Sequence, residues 1–450
     1  MDTRAFIDRL YEKASGAGFD DFEIYYSGGE AFRAMVFKGE VNDYSVNTSA
    51  GISFRAMVDG KMGYAYTEAM DDDAIDMLIE KAKENASVIE SEDEQFIFGG
   101  SDNYEPMDVY NPALDDVPAS EKIDLALSLE KQAIDKDERI ESVGYCMTQS
   151  ASGNVIMKNS KGLNLEHREN FIIALVEPVA KKGDRMKDAF SYSMGRDIKD
   201  IDSKGMIEES VEEAVDMLDA KGIPSGSYKI IFSKDAAGDL LSTFSGIFSA
   251  ESAQKGLSLL KGKEGETIAA DIISIMDDPL MKDGYASAPF DAEGVATYTK
   301  AVVENGVLKT LLYNLKTAAK DGVKTTGNAS KSSYKAPVNV SPFNFYIKPS
   351  ETSVETLMEH VGEGLYITDL EGLHSGANPV SGDFSLSAKG YLITGGKKAH
   401  TVEQFTVAGN FYDVLKNAIE VGSDLKFGMP GSSCIGSPSI SVGEMPIAGE

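Results

Sequence analysis

The stretch DFEIYYSGGEAFRAMVFKGEVNDYSVNTSAGISFRAMVDGKMGYAYTEA, residues 21–69, decides the fold class of the amino-terminal region. Apolar and polar residues alternate along most of it, as they do in strands that bury one face. The pairs Lys38-Gly39 and Asp59-Gly60 are typical of tight turns. The stretch predicts an antiparallel meander of short strands rather than a parallel sheet with crossover helices. These strands are expected at 21–28, 31–39, 41–48, 51–58 and 62–69.

A helix is predicted on each side of this meander. The first spans residues 3–15, with apolar side chains at helical spacing and Gly16 at its end. The second spans residues 71–86 and begins with acidic side chains, which the helix dipole favours in a first turn.

The same order of helix, strands and helix then recurs in the next hundred residues. Its predicted elements are helices at 120–136 and 203–220 and strands near 139–147, 152–158, 163–178 and 185–195. We therefore predict a duplicated helix–antiparallel-sheet–helix region over residues 1–222.

Two stretches separate the predicted domains. Residues 91–118 are acidic and contain three prolines, which indicates a linker, and IPSGS at 223–227 is a second boundary. The expected domains are an α+β unit at 1–90, the linker at 91–118, a second α+β unit at 119–222 and a β-rich domain at 223–450.

The second half of the chain begins with a strand, YKIIFS, whose Ser233 is a plausible helix N-cap. One continuous helix is predicted over 233–256, with Leu240, Leu241 and Phe244 on its apolar face. Short strands and turns follow, including a hairpin around Asn305-Gly306. The fold class is therefore α+β, with a barrel-like or sandwich-like carboxy-terminal domain.

Composition excludes several classes of function. Forty-three basic and 73 acidic residues give a formal charge of −30, which argues against binding to DNA or RNA. No apolar run approaches the length of about 20 residues that a membrane span needs, and the charged first helix does not resemble a signal peptide. The two cysteines, Cys146 and Cys434, are expected to be free thiols, which places the protein in the cytoplasm.

The histidines do not form a recognisable zinc motif. The chain has four, at 167, 360, 374 and 400, and no two lie within one helical turn. A protease-type zinc site needs two histidines on one helix face and a third protein ligand. A site assembled over long range from His374 and Cys434 remains an alternative. Otherwise His374 is interpreted as a polar loop residue and Cys434 as a packed one.

The carboxy-terminal half carries a resemblance to a known family. Its sequences are FDAEGVATYTKAVVENGVLKTLLYNLKTAAKDGVKTTGNA at 290–329, GLHSGANPVSGDFSLSAKGYLITGGKKAHTVEQFTVAGNFYDVLKNAIEVGSD at 372–424 and GSPSISVGEMPIAGE at 436–450. They resemble the TldD/PmbA family, formerly called modulator of DNA gyrase, and within it the PmbA/TldE branch.

The resemblance implies both a fold and an activity. Members have a duplicated α+β region and a β-rich carboxy-terminal domain. TldD and TldE form a heterodimer that encloses a cavity and degrades unfolded peptides without ATP. TldD carries HExxxH on the helix after the first strand of its last domain, with a cysteine as a further zinc ligand, whereas TldE lacks the metal site.

Carried over to this chain, the motif positions hold other residues. Ser242 and Thr243 stand where His-Glu would be and Ile247 where the second histidine would be. Residues 233–256 contain no histidine. The resemblance therefore implies no catalytic residue, metal or cofactor in this chain, with zinc in a TldD-like partner.

The glycine-rich stretch 372–383 is predicted to have a different role. With the strand 384–391 it would line the shared cavity or the partner interface and offer an exposed strand edge to an extended peptide. Its candidate residues are His374, Ser375, Gly376, Asn378, Ser381 and Asp383. The alternative is a tight structural connection between two strands.

Three functional hypotheses follow. The first is a non-catalytic subunit, inactive alone and active only with a TldD-like metallopeptidase partner on unfolded peptides. The second is a stand-alone peptide-binding or adaptor homodimer without proteolysis. A non-catalytic subunit of the first kind could also form a homodimer when it is isolated from its partner. The third is an enzyme with a metal site assembled from distant residues.

Overall fold

The computed structural model describes residues 1–90 and 94–449, which divide into two compact units. Unit 1 comprises Met1–Leu218 together with two short segments from the second half of the chain, Ala292–Ala296 and Lys331–Pro337. Unit 2 comprises the rest. Residues 91–93 of the predicted linker and Glu450 lie outside the described residues.

Unit 1 is built on a seven-stranded sheet with helices packed against it. Its elements in chain order are α1 (Thr3–Ser15), β1 (Asp21–Phe37), β2 (Glu40–Val58), β3 (Lys61–Thr67), α2 (Asp72–Val88), α3 (Pro112–Asp115), α4 (Ala119–Lys136), β4 (Ile140–Asn159), β5 (Asn164–Lys182), β6 (Arg185–Asp188), β7 (Ser191–Gly195) and α5 (Ser203–Asp216). The strand order is β3-β2-β1-β4-β5-β6, and β7 also pairs with β5.

The strands of unit 1 are longer than the sequence predicted. The strands predicted at 21–28 and 31–39 merge into β1, those at 41–48 and 51–58 merge into β2, and those near 139–147 and 152–158 merge into β4. A Cβ atom on Gly29 would lie 2.2 Å from the carbonyl oxygen of Ser152 on β4. Glycine therefore permits a close strand approach here instead of ending a strand.

The two predicted copies share one sheet because β1 pairs antiparallel with β4, from Glu23–Asn159 to Met35–Met147. Helices α1 and α2 pack on the β1–β3 part, and α4 and α5 pack on the β4–β5 part. The helix–sheet–helix order of each copy is thus retained, while their hydrogen-bonded strands form a single layer.

The sheet face opposite α1 and α2 carries a buried polar cluster. Glu23 and Arg55 alternate with the apolar core residues of β1 and β2, and their side chains pair at 2.8 Å. Lys331 lies beside them: its Nζ donates to Ser53 Oγ at 2.9 Å and sits 4.1 Å from the centre of the Tyr25 ring. Burial first, and then the nearby Arg55 charge, lower the pKa of Lys331 to about 7, although Glu23 opposes the shift.

Unit 2 is β-rich, as the sequence predicted. Its elements are β8 (Gly226–Phe232), α6 (Lys234–Phe244), α7 (Ala250–Gln254), β9 (Ile275–Asp277), β10 (Lys300–Glu304), β11 (Val307–Leu308), α8 (Leu315–Asp321), β12 (Ala329–Ser330), β13 (Asn339–Val340), β14 (Asn344–Ile347), α9 (Val354–Val361), β15 (Gly364–Glu371), α10 (Leu373–Gly376), β16 (Asp383–Thr394), β17 (Lys397–Asn410), α11 (Phe411–Lys416), β18 (Ala418–Val421), β19 (Lys426–Phe427), β20 (Cys434–Ser437) and β21 (Ile440–Ala448).

Five strands of unit 2 close on themselves. The order β17-β16-β15-β8-β21 returns to its start because β17 also pairs with β21, at Thr406–Ala448 and Val407–Ile447. Closure removes the free edges that an open sheet would expose. The predicted α+β class with a barrel-like domain is thus confirmed.

A second sheet of unit 2, in the order β11-β10-β9-β14-β20-β19, contains a buried ion pair. Asp277 is fully buried and accepts hydrogen bonds from Lys300 Nζ at 2.9 Å, Asn328 Nδ2 at 2.7 Å and the Phe343 backbone N–H at 2.7 Å. The predicted hairpin at Asn305-Gly306 joins β10 to β11, and both turn residues have positive φ.

None of the helices in residues 1–90 and 94–449 combines the length and the hydrophobicity needed to cross a lipid bilayer.

We predict that Asp277→Ala lowers the free energy of unfolding by about 3–5 kcal/mol, because it leaves the buried Lys300 ammonium without its counterion. Urea unfolding followed by far-UV circular dichroism measures the change, since the chain has no tryptophan. Glu304→Ala is the matched control. It breaks an exposed pair with Lys309 at 3.5 Å and should cost less than about 1 kcal/mol. Equal losses in both variants would contradict the assignment.

Lys331 predicts a pH dependence of stability. Its folded pKa is about 7, whereas an unfolded lysine titrates near 10.4. Between these values the unfolded chain binds the extra proton, so stability rises with pH, by at most about 1.4 kcal/mol per unit for this group. Urea titrations from pH 7 to 9.5 should show this rise, and Lys331→Met should flatten it.

Lys335→Met provides the control for this pH series. Lys335 lies on the same segment but is exposed and paired with Glu68 at 2.6 Å, and its pKa is raised, first by this hydrogen bond. The slope should therefore persist in Lys335→Met. A Lys331→Met slope equal to that of the unsubstituted chain would refute the prediction.

Candidate functional site

Helix α6, which follows β8, holds Ser242 and Thr243, two of the three positions that the sequence comparison assigned to the catalytic motif; Ile247 lies in the turn after it. Ser233 caps the helix: its side chain accepts from the Ala236 N–H at 3.1 Å and donates to the Thr368 carbonyl at 3.1 Å. The cap thereby ties the start of α6 to β15. The apolar residues of the helix are buried, and Asp239 and Ser242 are left exposed.

The predicted continuous helix over 233–256 is wrong. Helix α6 ends at Phe244, a 3-10 turn covers Ser245–Phe248, and α7 begins at Ala250. Ser249 has extended backbone angles and accepts a hydrogen bond from the Ser252 N–H, so it caps a second helix. Because Ser249 begins a new helix, the helical segment is interrupted there. The apolar spacing alone had predicted that it continues to Gly256.

The three positions of the vacated motif do not lie together on one face. Ser242 is exposed, Thr243 is half-buried, and Ile247 is 1% exposed and belongs to the core of unit 2. An isoleucine offers no lone pair to a metal, and a serine hydroxyl is a poor zinc ligand. The residues present therefore do not fit a zinc ion of the HExxxH type.

Carboxylates occupy the exposed face of α6 instead. Asp235 and Asp239 are four residues apart, so they share this face, and Asp369 on β15, which pairs with Lys389 at 3.3 Å, lies close enough to repel Asp239. Loss of surrounding solvent first, and then the charges of Asp369 and Asp235, raise the pKa of Asp239 to about 6, while Lys426 opposes the shift.

The sequence interpretation of this helix rested on its lack of histidine and did not identify these carboxylates. The four-residue spacing of Asp235 and Asp239 was the available signal. The nearby Asp369 could not be found in this way because it lies on a strand far along the chain. The arrangement can attract and hold basic groups, since Lys426 already pairs with Asp235 at 2.9 Å.

The predicted loop begins with the short helix α10, which contacts α6. His374 and Ser375 are exposed on it. A Cβ atom on Gly376 would lie 2.4 Å from the Ser385 carbonyl oxygen, so only glycine permits this close approach to β16. The structure thus brings the start of the loop to the same region as α6.

The rest of the loop is held by its own hydrogen bonds. Asn378 Oδ1 accepts from the backbone N–H groups of Val380 at 3.0 Å and Ser381 at 3.3 Å. Asn410 Nδ2 donates to the Ser381 carbonyl and to Asp383 Oδ1, both at 2.9 Å. The bonds from Asn410 and Ser381 lower the pKa of Asp383. This part of the loop therefore has the features of a tight structural connection.

The expectation of a free strand edge beside this loop is wrong. β16 pairs with β17 from Asp383 to Thr394 and with β15 from Ser387 to Ile393, and Phe384 forms a bridge to Ala377, so the strand has neighbours on both sides. An added peptide strand has no place there. The sequence could not reveal this, because pairing on both sides depends on which distant strands become neighbours.

The alternative metal site from His374 and Cys434 receives no geometric support. Cys434 is 1% exposed on β20, and burial raises the pKa of its thiol to about 12. In residues 1–90 and 94–449, no group of three or more His, Cys, Asp or Glu side chains is placed to hold a metal ion. Of the other histidines, His360 on α9 pairs with Glu420 at 2.8 Å.

Three family models match the chain. They are described as PmbA/TldA metallopeptidase domain 1 at residues 22–86, the central domain at 112–218 and the C-terminal domain at 225–449. Among curated relatives, an uncharacterized protein of Methanocaldococcus jannaschii is 30% identical, covering 92% of this chain and 94% of that protein. The metalloprotease PmbA of Escherichia coli is 25% identical, with 99% and 95% coverage.

A solved structure agrees with these matches. The crystal structure of a candidate modulator of a DNA gyrase from Thermotoga maritima is 33% identical and superposes with a TM-score of 0.91, covering 99% of this chain and 100% of that one. Sequence models, relatives and fold therefore point to one assignment. The chain belongs to the TldD/PmbA family of metallopeptidases.

Proposed function

We propose that this chain is the non-catalytic, TldE-like subunit of an ATP-independent peptidase complex that degrades unfolded peptides. The zinc ion and the catalytic residues belong to a TldD-like partner. This chain contributes surface that contacts the partner and the peptide.

One observation carries the proposal. Helix α6 stands directly after the first strand of the carboxy-terminal domain, and it presents Ser242, Thr243 and two aspartates but no histidine. Ile247 is packed in the core, so even a histidine introduced there would be withdrawn from the exposed face. A bound water near this helix has no Lewis acid from this chain to lower its pKa.

The acidic face of α6 indicates what the chain does for a substrate. Asp239 carries its carboxylate beside Asp235, which pairs with Lys426 at 2.9 Å, and Asp369, which pairs with Lys389 at 3.3 Å, in the region where the related enzymes are expected to hold their metal. Such a face favours lysine and arginine side chains of a bound peptide and disfavours acidic ones. We infer that the subunit biases the complex towards basic unfolded segments.

Reconstitution tests the proposal. The purified chain alone should contain less than about 0.1 zinc per chain by elemental analysis, and should leave an unstructured peptide uncleaved. Mixing with a TldD-like partner, without ATP, should restore cleavage, and a chelator should abolish it. A partner lacking its zinc motif is the control.

Three results would overturn the proposal. Stoichiometric zinc with chelator-sensitive cleavage by the lone chain would favour the assembled metal site. Capture of peptides by a self-associating chain that ignores the partner would favour the adaptor homodimer. A complex whose activity does not need this chain would remove its subunit role.

The acidic face predicts a pH dependence in the complex. The pKa of Asp239 is about 6, so its charge is present above this pH and is lost on acidification. The preference for a lysine-rich over a glutamate-rich peptide, measured as a ratio of kcat/KM, should therefore fall from pH 7.5 to pH 5. Asp369→Asn should move the midpoint to lower pH, and Asp239→Asn should remove this transition.

Asp137→Asn is the control for this profile. The pKa of Asp137 is held at about 2 by Arg139, so it does not titrate in this range and the profile should be unchanged. A midpoint that stays in place in Asp369→Asn would show that another group is responsible.

A further inference from the structure

Strand β2 of unit 1 has a free edge over more than half its length. On its inner side it pairs with β1 from Glu40 to Met57. On its outer side β3 pairs with it only from Ile52 to Val58. Within the described residues, the stretch from Glu40 to Gly51 therefore has no strand neighbour on that side.

The free edge carries an exposed apolar strip. Val41, Tyr44 and Val46 are 45%, 50% and 47% exposed. They pair in register with Val36, Ala34 and Phe32 of β1, which are buried. Directly paired residues lie on the same face of a sheet. The strip is therefore on the face against which the helices of unit 1 pack, but in a part of that face that the helices leave exposed.

The usual protection of an edge strand is missing from Tyr44 to Gly51. Natural edges are blunted by charged residues, prolines or short length. From Tyr44 to Gly51 the sequence is YSVNTSAG, with neither charge nor proline. The edge strand β6, by contrast, has four residues, of which three are charged. Eight residues of this edge therefore lack the features that keep other strands away.

The size of the edge distinguishes between two occupants. Twelve residues at about 3.4 Å each, and a depth of about 10 Å, present on the order of 400 Å². A stable dimer of folded chains needs about 800 Å² per partner. A second folded copy that met only this edge would therefore be weakly held. An extended peptide can pair its backbone along the whole strip without any further contact area.

We propose that the Glu40–Gly51 edge of β2 binds an extended peptide strand by backbone pairing. Apolar or aromatic side chains of the peptide, at alternate positions, lie against Val41, Tyr44 and Val46. Glu40 and Asp43 lie near one end of this edge, Asp43 paired with Arg33 at 2.6 Å, and the chain carries a net charge of −30, so neutral or basic peptides are preferred. The site does not depend on the proposed subunit role, because it needs no partner and no cleavage.

The test uses the full chain and a fluorescent twelve-residue peptide of alternating valine and threonine flanked by lysines. Binding is measured by fluorescence anisotropy. A peptide with the same sequence but N-methylated at every residue has no backbone N–H to donate through either edge, and it should bind at least tenfold more weakly. Hydrogen exchange should slow within residues 40–51 when the unmodified peptide is added.

Two matched variants locate the site. Val46→Lys places a charge in the strip and should weaken the peptide Kd at least tenfold. Val88→Lys makes the same change at the end of α2, where the side chain is 72% exposed, and should leave Kd unchanged. Circular dichroism checks that both variants fold. If Val46→Lys does not fold, the methylated peptide still tests the proposal on the unsubstituted chain.

The remaining outcomes contradict the proposal. Equal binding of the methylated peptide, or equal Kd for Val46→Lys and Val88→Lys, would place the peptide elsewhere. Light scattering that shows self-association of the chain, lost in Val46→Lys, would assign the edge to a second copy. A negative result in these binding measurements would not bear on the proposed subunit role, because the reconstitution experiment measures zinc content and peptide cleavage.

Discussion

The antiparallel pairing of β1 with β4 is the interaction on which unit 1 depends. It runs from Glu23–Asn159 to Met35–Met147 and joins two helix–sheet–helix halves into one layer. Each half alone would leave a long central strand with an unpaired side, which is costly for buried backbone groups. Gly29 permits the close approach to β4 that this pairing requires. In the sheet, β2 and β5 lie on either side of this central pair, and β3 and β6 lie at the two ends of the strand order.

This sheet uses its two faces differently. One face packs against helices through apolar residues. The other face holds the Glu23–Arg55 pair and Lys331, which is contributed by a short segment from the second half of the chain. Buried charge of this kind seldom adds net stability, but removal of one member leaves the others uncompensated. The Asp277–Lys300 pair in unit 2 follows the same logic.

In unit 2, the candidate site is characterised by the lack of histidine on α6. Its N-cap at Ser233 and its apolar face are those of an ordinary packed helix. The exposed face is acidic, and the residue that would stand for the second histidine points into the core. Family membership and this helix together support a role in peptide degradation that relies on chemistry from elsewhere. The acidic face would then act through charge rather than through bond breaking.

The sequence by itself determined the fold class, the order of helices and strands, and the lack of histidine in residues 233–256, because these depend on local periodicity and on residue identity. It did not determine that neighbouring short strands merge, that β16 is paired on both sides, or that the edge of β2 is free. It also did not bring Asp369 to Asp239, or Lys331 to Glu23. These features arise from pairing between segments that are distant in the chain, and local sequence carries no record of which backbone edges will meet.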